Sequence, residues 1–237
     1  MPNFEVSLAK AERAPDTRLQ LIDAAERLFG ADGIEAVSLR AIGFAAGQAN
    51  KVAVQYHFAD KRSLVAAIFE QRAPAVERRM AQLRCSLIDY QERQDLLSLV
   101  SVLFRPVVEK DEDGPLISAR FLLNLICSRT YWSVSNVSLA RLLFGLEPTG
   151  TSEVTNVVRL IGQALPDIPE PVLRQRLCSL ARMLLGAVVN QENALSAKQP
   201  AWPFEMLLAD QLAMIAAALR QPLGTEIARG LSRGDVI

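Results

Sequence analysis

Apolar residues recur every three or four positions along most of this chain, which is the spacing of one helix face, and no stretch alternates long enough to make a convincing strand. Residues 1–15 read as a loose arm ending at Pro15. Thr17 then fits an N-cap, and Gln20 three positions on completes a capping-box pattern. Ile22, Ala25 and Phe29 form the first apolar face, widened by Leu21 and Leu28, and Gly33 ends that helix. Ser38 can cap a second helix with Leu39, Ile42 and Ala46 on its core face. Its small residues Ala41, Gly43, Ala45 and Ala46 would let another helix approach closely, and Gly47 breaks it. A third helix over Lys51–Phe58 turns Val54 and Phe58 inward. Asp60 can cap a fourth, whose Leu64, Ala67 and Ile68 point back to the same small core. Short helices joined by a glycine turn and closed by a longer one make a helix-turn-helix.

Pro74 falls inside a helical pattern that resumes through Val76, Met80 and Leu83, so a kink or restart is expected there. The domain boundary is placed at this point, giving an N-terminal arm and head over 1–72 and a larger helical domain over 73–237. Further helices are expected over 94–108 (with a break possible at Pro106), 115–132, 136–146 and 151–165, before a loop holding Pro166 and Pro169. The strongest patterns come last. Leu173, Leu177, Leu180, Leu184 and Val188 form a stripe in 170–195, and Phe204, Leu208, Leu212, Ile215 and Leu219 form another in 203–221. Apolar positions beside each stripe suit helices that touch two neighbours, as in a four-helix dimer interface, although internal packing explains the stripes equally well. The glycine-containing tail after Pro222 is expected to fray.

Composition adds constraints rather than a new picture. Half of the 237 residues are hydrophobic and 22% are charged, enough for a substantial core. Formal net charge is zero, so any electrostatic footprint must be local. Between Ser38 and Arg62, the cations Arg40, Lys51, Lys61 and Arg62 face the single carboxylate of Asp60. Cys85, Cys127 and Cys178 are far apart and show no CxxC spacing, and His57 is the one histidine, which argues against a Cys/His zinc site. The thiols are expected to be free and buried. The N-terminus lacks a signal-peptide core, and no apolar run approaches the roughly 20 residues of a membrane span, so a soluble cytoplasmic protein is expected.

The segments LIDAAERLFGADGIEAVSLRAIGFAAG and VAVQYHFADKRSLVAAIF resemble the DNA-binding domain of the TetR family of bacterial transcriptional regulators. The likeness is carried by Phe29, Gly33, Ser38, Arg40, Ile42, Ala46, Gly47, Tyr56, His57, Phe58, Lys61 and Leu64, and spans about residues 17–72. The sequence departs from the family pattern in a turn after Gly47 that is one residue longer than in the commonest members, in Gly43 where alanine is usual, and in Ala59 before Asp60. With Val54 and Phe58 inward, the third helix is free to offer Lys51, Val52, Ala53, Gln55 and Tyr56. Gln55 can pair with adenine, Lys51 can donate to guanine, and Val52 or Ala53 can pack on a thymine methyl. The resemblance assigns base reading to the same positions, and implies phosphate contacts for Arg40, Tyr56, His57 and Lys61. Ser38 and Asn50 complete the expected DNA-binding set.

The same resemblance implies an all-α protein with a helix-turn-helix head and a larger helical ligand-binding and dimerisation domain. It implies a homodimeric repressor on a palindromic operator in double-stranded DNA, relieved by a small-molecule effector, with no cofactor, metal or catalytic residue. Phe104, Phe121, Asn124, Cys127, Tyr131 and Trp132 are the best pocket candidates because they combine aromatic surface with a few polar groups. An ordinary core is the competing reading. A helical enzyme fares worse. Its only histidine belongs to the head, and Glu109, Asp111, Glu112 and Asp113 read as a solvated charged loop. A helical interaction module that no longer binds DNA need not keep Arg40, Gln55, Tyr56, His57 and Lys61 together.

Overall fold

The computed structural model describes residues 17–48, 52–89, 95–111, 114–128, 152–226 and 229. The expected arm, the helix over 136–146, the turn register at 49–51, and Tyr131 and Trp132 lie outside them. The described chain is helical apart from one two-residue antiparallel ladder, Lys110–Asp111 (β1) with Gly114–Pro115 (β2). The head comprises α1 (Thr17–Asp32), α2 (Leu39–Ala45), α3 (Val52–His57) and the first half of α4 (Lys61–Asp89). The body adds α5 (Leu96–Val108), α6 (Ala119–Cys127), α7 (Glu153–Ala164), α8 (Glu170–Ser196) and α9 (Phe204–Arg220).

Of the kink or restart expected at Pro74, the restart does not occur: helix α4 runs unbroken through it. Pro74 and Glu70 are both exposed, so water can serve the Glu70 carbonyl that Pro74 leaves without a donor. Buried Leu64, Val65, Ile68 and Phe69 tie the first half of α4 to the head, while Val76 and Met80 tie the second half to the body. The supposed boundary therefore lies within one continuous helix. α5 likewise continues through Pro106 and is buried on nearly every side, with α4, α7, α8 and α9 packed around it. Arg79 reaches Glu109 through two hydrogen bonds of 3.0 and 2.8 Å, so that carboxylate is an ion-pair partner rather than part of a solvated loop. Arg84 grips Glu153 in the same way, fixing α4 to α7.

Asp95 caps α5 by accepting the Ser98 backbone N–H at 2.8 Å. That bond holds its carboxyl below the usual carboxylate range. Asp95→Ala is expected to cost about 1 kcal/mol of stability at neutral pH. A depressed folded pKa contributes stability fully above the unfolded value of about 3.9 and loses it as pH falls through the folded one. The difference between wild type and variant in denaturant unfolding should therefore shrink in strong acid.

The stripes on α8 and α9 overturn one expectation. Leu173, Leu177, Leu180, Leu184, Val188, Leu208, Leu212, Ile215 and Leu219 are all buried within this one protomer. They pack α8 and α9 on each other, on α5 and, from α8, on α6. Being consumed by the protomer's own core, they cannot also form a surface for a second copy. What α9 turns outward is Met206, Ala209, Asp210, Ala213, Met214 and Ala217, with Glu205, Ala218 and Arg220 also exposed. The thiols also differ from expectation. Cys85 and Cys127 are exposed, and only Cys178 is partly covered, its pKa raised by burial against the opposing pull of Arg182. Among the described residues no helix is long and apolar enough to cross a membrane.

Candidate nucleic-acid interface

The head is assembled on a small core of Leu21, Ile22, Ala25, Phe29, Ile42, Val54, Phe58, Leu64 and Ile68. Ser38 starts α2 by accepting the Ala41 backbone N–H at 3.1 Å, and Gly47, with φ +72°, takes the left-handed turn just beyond it. Gln48 at that turn donates its amide to the Gln20 side chain of α1 at 3.3 Å. The ends of α2 are thus fixed from both sides.

α2 and α3 come unusually close. A Cβ placed on Gly43 would lie 2.8 Å from Cγ2 of Val54, nearer than real Cβ atoms approach. The glycine that costs α2 roughly 1 kcal/mol in helix propensity is what admits the buried Val54. On the opposite side of α3, Gln55 is exposed and Tyr56 is 82% exposed. His57 is half-buried, and its ring meets Tyr56 edge-on at 5.1 Å between centroids. Arg18 from α1 stacks its guanidinium 5.5 Å from the Phe58 ring centroid, holding the inner side. Val52 and Ala53 open α3, while Asn50 and Lys51 lie outside the described residues.

The start of α4 is a reciprocal cap. Ser63 N–H donates to Asp60 Oδ1 at 2.8 Å, and Asp60 N–H donates to Ser63 Oγ at 3.2 Å. Lys61 is half-buried and spends two of its three donors inside the protein, on the carbonyls of Ile34 and Glu35, both at 2.8 Å. It braces the α1–α2 turn while placing positive charge there. Arg40 is exposed on α2. So is Phe44, at 85%, one turn beyond Arg40 on that helix. Helical spacing gave no reason to single out Phe44, because an apolar residue outside the Leu39–Ile42–Ala46 face is visible only once that face is known to be buried elsewhere.

The pocket candidates fall differently. Phe104 is buried in α5, and Cys127 is exposed at the end of α6. Phe121 stacks on Phe29 of the head at 6.3 Å between centroids and tilts against Phe69 at 5.7 Å. Asn124 donates its amide to the carbonyls of Phe29 (2.8 Å) and Gly30 (3.0 Å), serving the last turn of α1. Phe121 and Asn124 therefore form a joint between head and body. Glu26, only 6% exposed, belongs to the same joint. It accepts the Ser118 N–H at the start of α6 at 2.7 Å and Arg72 Nε at 2.8 Å, and Arg72 also reaches Asp23 at 2.7 Å. Burial opposes the Arg72 charge, but the two carboxylates more than offset it and hold its pKa above the ordinary value. Glu26 was legible in principle: it stands four residues after Ile22, a charge on an apolar face.

A helix-turn-helix with exposed polar side chains on its third helix, carried by an all-helical body, is an architecture found in DNA-binding transcription regulators. Residues 21–68 match the family model of bacterial regulatory proteins, tetR family, so that segment is similar to the head of those proteins. A solved tetR family transcription regulator from Shewanella sp. PV-4 superposes with a TM-score of 0.55 at 16% identity, over 86% of this chain and 98% of that one. At that identity the likeness is one of fold. SmeT, the repressor of the Stenotrophomonas maltophilia multidrug efflux pump SmeDEF, aligns over 89% of this chain and 100% of its own at 20% identity, with a TM-score of 0.45. A gamma-butyrolactone receptor, an ArpA-like protein, aligns over 86% and 96% at 22% identity, with a TM-score of 0.44. No curated protein matches the chain in sequence.

Proposed function

We propose that this regulator acts as a homodimeric repressor on a palindromic operator in the cytoplasm and is relieved by a small-molecule effector. It is a binding protein and not an enzyme. The observation that carries the reading is α3. Val54 and Phe58 anchor one side in the head core, while Gln55 and Tyr56 on the other are left to solvent by every described element. A helix held this way fits a major groove and can present an amide to adenine. Arg40, Tyr56 and His57 then meet phosphates, with the Lys61 charge nearby, and the capped starts of α2 and α4 support them.

A single head makes too few contacts for tight, selective binding, whereas a two-fold pair doubles them and matches a palindrome. The surface that suits the second copy is the outward face of α9. Ala209, Ala213 and Ala217 recur every fourth residue, flanked by exposed Met206 and Met214. Small side chains at that spacing let helices approach closely. On neighbouring α8, a Cβ at Gly186 would meet nothing within 4 Å, so that position is open as well.

Selection of bound sequences from random DNA with purified protein tests the whole reading: a palindrome is expected, and no enrichment would sink it. Gln55→Ala should then relax preference at one or two positions per half-site by about 1–3 kcal/mol, leaving the other positions as they were. Uniform weakening across sequences would instead make Gln55 a backbone contact.

A further inference from the structure

Between head and body lies a groove of about 650 Å³, walled by α1, α4 and the segment from Pro115 to Arg120. Ala31 on α1 and Ala75 on α4 keep its walls low, while Gly30 lets the start of α6 pack close, a Cβ there meeting Arg120 Cβ at 3.2 Å. Four guanidiniums line it. Arg72 is neutralised by Glu26 and Asp23, and Arg120 by Glu192 at 3.0 Å. Arg27 and Arg78 are exposed and have no carboxylate partner among the described residues. A second recess of about 460 Å³ shares Ala75, Arg78 and Leu116 with the first and adds Arg79 and Lys110, whose charges are met by Glu109 and Glu192. Two arginines without a carboxylate partner among the described residues thus remain on one groove, Arg27 from α1 and Arg78 from α4, together with Leu116.

From these residues we infer that the groove is an effector site for a small organic polyanion, one carrying carboxylate or phosphate groups. Guanidinium forks match both groups with paired hydrogen bonds, and the volume suits a metabolite-sized ligand. DNA is the wrong occupant. Arg78 stands roughly 25 Å up α4 from Lys61, at 1.5 Å of rise per residue, so a phosphate held at the start of α4 cannot reach it. An anion bridging Arg27 and Arg78 ties α1 to α4 next to Arg72 and Glu26, the pair that also holds the start of α6. It competes with Glu26 and Asp23 for Arg72. Occupancy therefore has unequal affinity for arrangements of the head that keep or break those ion pairs, which is what coupling to DNA binding requires. The coupling rests on the regulator reading above; the anion site does not.

The test uses the full chain at constant ionic strength, titrated calorimetrically with citrate and separately with pyrophosphate. Saturable binding of at least one probe is expected, at one site per protomer. The double variant Arg27→Gln/Arg78→Gln should weaken it at least tenfold while thermal unfolding stays unchanged, since neither arginine has a carboxylate partner among the described residues. Absence of saturable binding to both probes, or equal binding by the double variant, would overturn the site. A selected operator is then titrated with and without the bound probe: a shift of threefold or more in its Kd supports the effector role, and an unchanged Kd overturns it. A protein that bound the anion but no DNA at all would count against the regulator reading and leave the anion site standing.

Discussion

Ala213→Glu is expected to leave the protomer folded and to reduce operator binding by at least about a hundredfold. Ala213 is exposed at the middle of the α9 outward face, so in an isolated protomer the new carboxylate meets only water. In a two-fold pair the same change would bury two like charges beside each other, where uncompensated charge costs several kcal/mol. Dimerisation should fail first, and operator affinity should fall with it, because a lone head reads only half of a palindrome. Light scattering after size exclusion reads the first effect, and a binding isotherm on the selected operator reads the second. A dimeric Ala213→Glu protein with unchanged affinity would show that the copies meet elsewhere.

The second large effect is expected from Gly43→Ala. The new methyl would stand 2.8 Å from Val54 Cγ2, and Val54 is buried and β-branched, so it has little freedom to turn away. Relief requires α3 to shift. Stability should fall by no more than about 2 kcal/mol, since about 1 kcal/mol of helix propensity gained offsets part of an overpacking cost of about 1–3 kcal/mol. DNA binding should suffer more, by roughly ten- to a hundredfold, because a displaced α3 forgoes bidentate pairing with a base, which is worth about 1–3 kcal/mol in each half-site. The double variant Gly43→Ala/Val54→Ala removes the collision by filling with one methyl the space that the other side chain gives up. It should bind within a few-fold of wild type, and the two changes should be strongly non-additive. Gly43→Ala binding DNA as well as wild type would show that the α2–α3 spacing does not matter to reading.

The side chains that the head leaves exposed on α3 were legible because they follow from local rules. Ser38 and Asp60 are caps and Gly33 and Gly47 take left-handed turns, features that depend on neighbours within a few residues. Once Val54 and Phe58 are placed inward at helical spacing, Gln55 and Tyr56 must face out. The same reasoning failed at α8 and α9. A stripe such as Leu177–Leu184–Val188 says that a face is buried but not which neighbour buries it, and here the neighbours are α5, α6 and the two helices themselves. The partner face proposed instead is built mainly of alanines and methionines, which carry a weaker pattern.

By itself the sequence determined the helical class, the order and approximate bounds of the described helices, and the buried and exposed sides of α3, since periodicity and capping are encoded within one turn or two. It matched the tetR family at residues 21–68 for the same reason, as that segment is dense in such local signals. Tertiary structure alone decided that α4 joins head to body through Pro74, and that Asn124 and Phe121 serve that joint. It alone set Glu26 between Arg72 and the start of α6, left Arg27 and Arg78 facing one groove without carboxylate partners among the described residues, and gave Gly43 its purpose. Those outcomes depend on residues tens of positions apart meeting in space, and the identity of a residue's distant neighbour is not written in its local spacing.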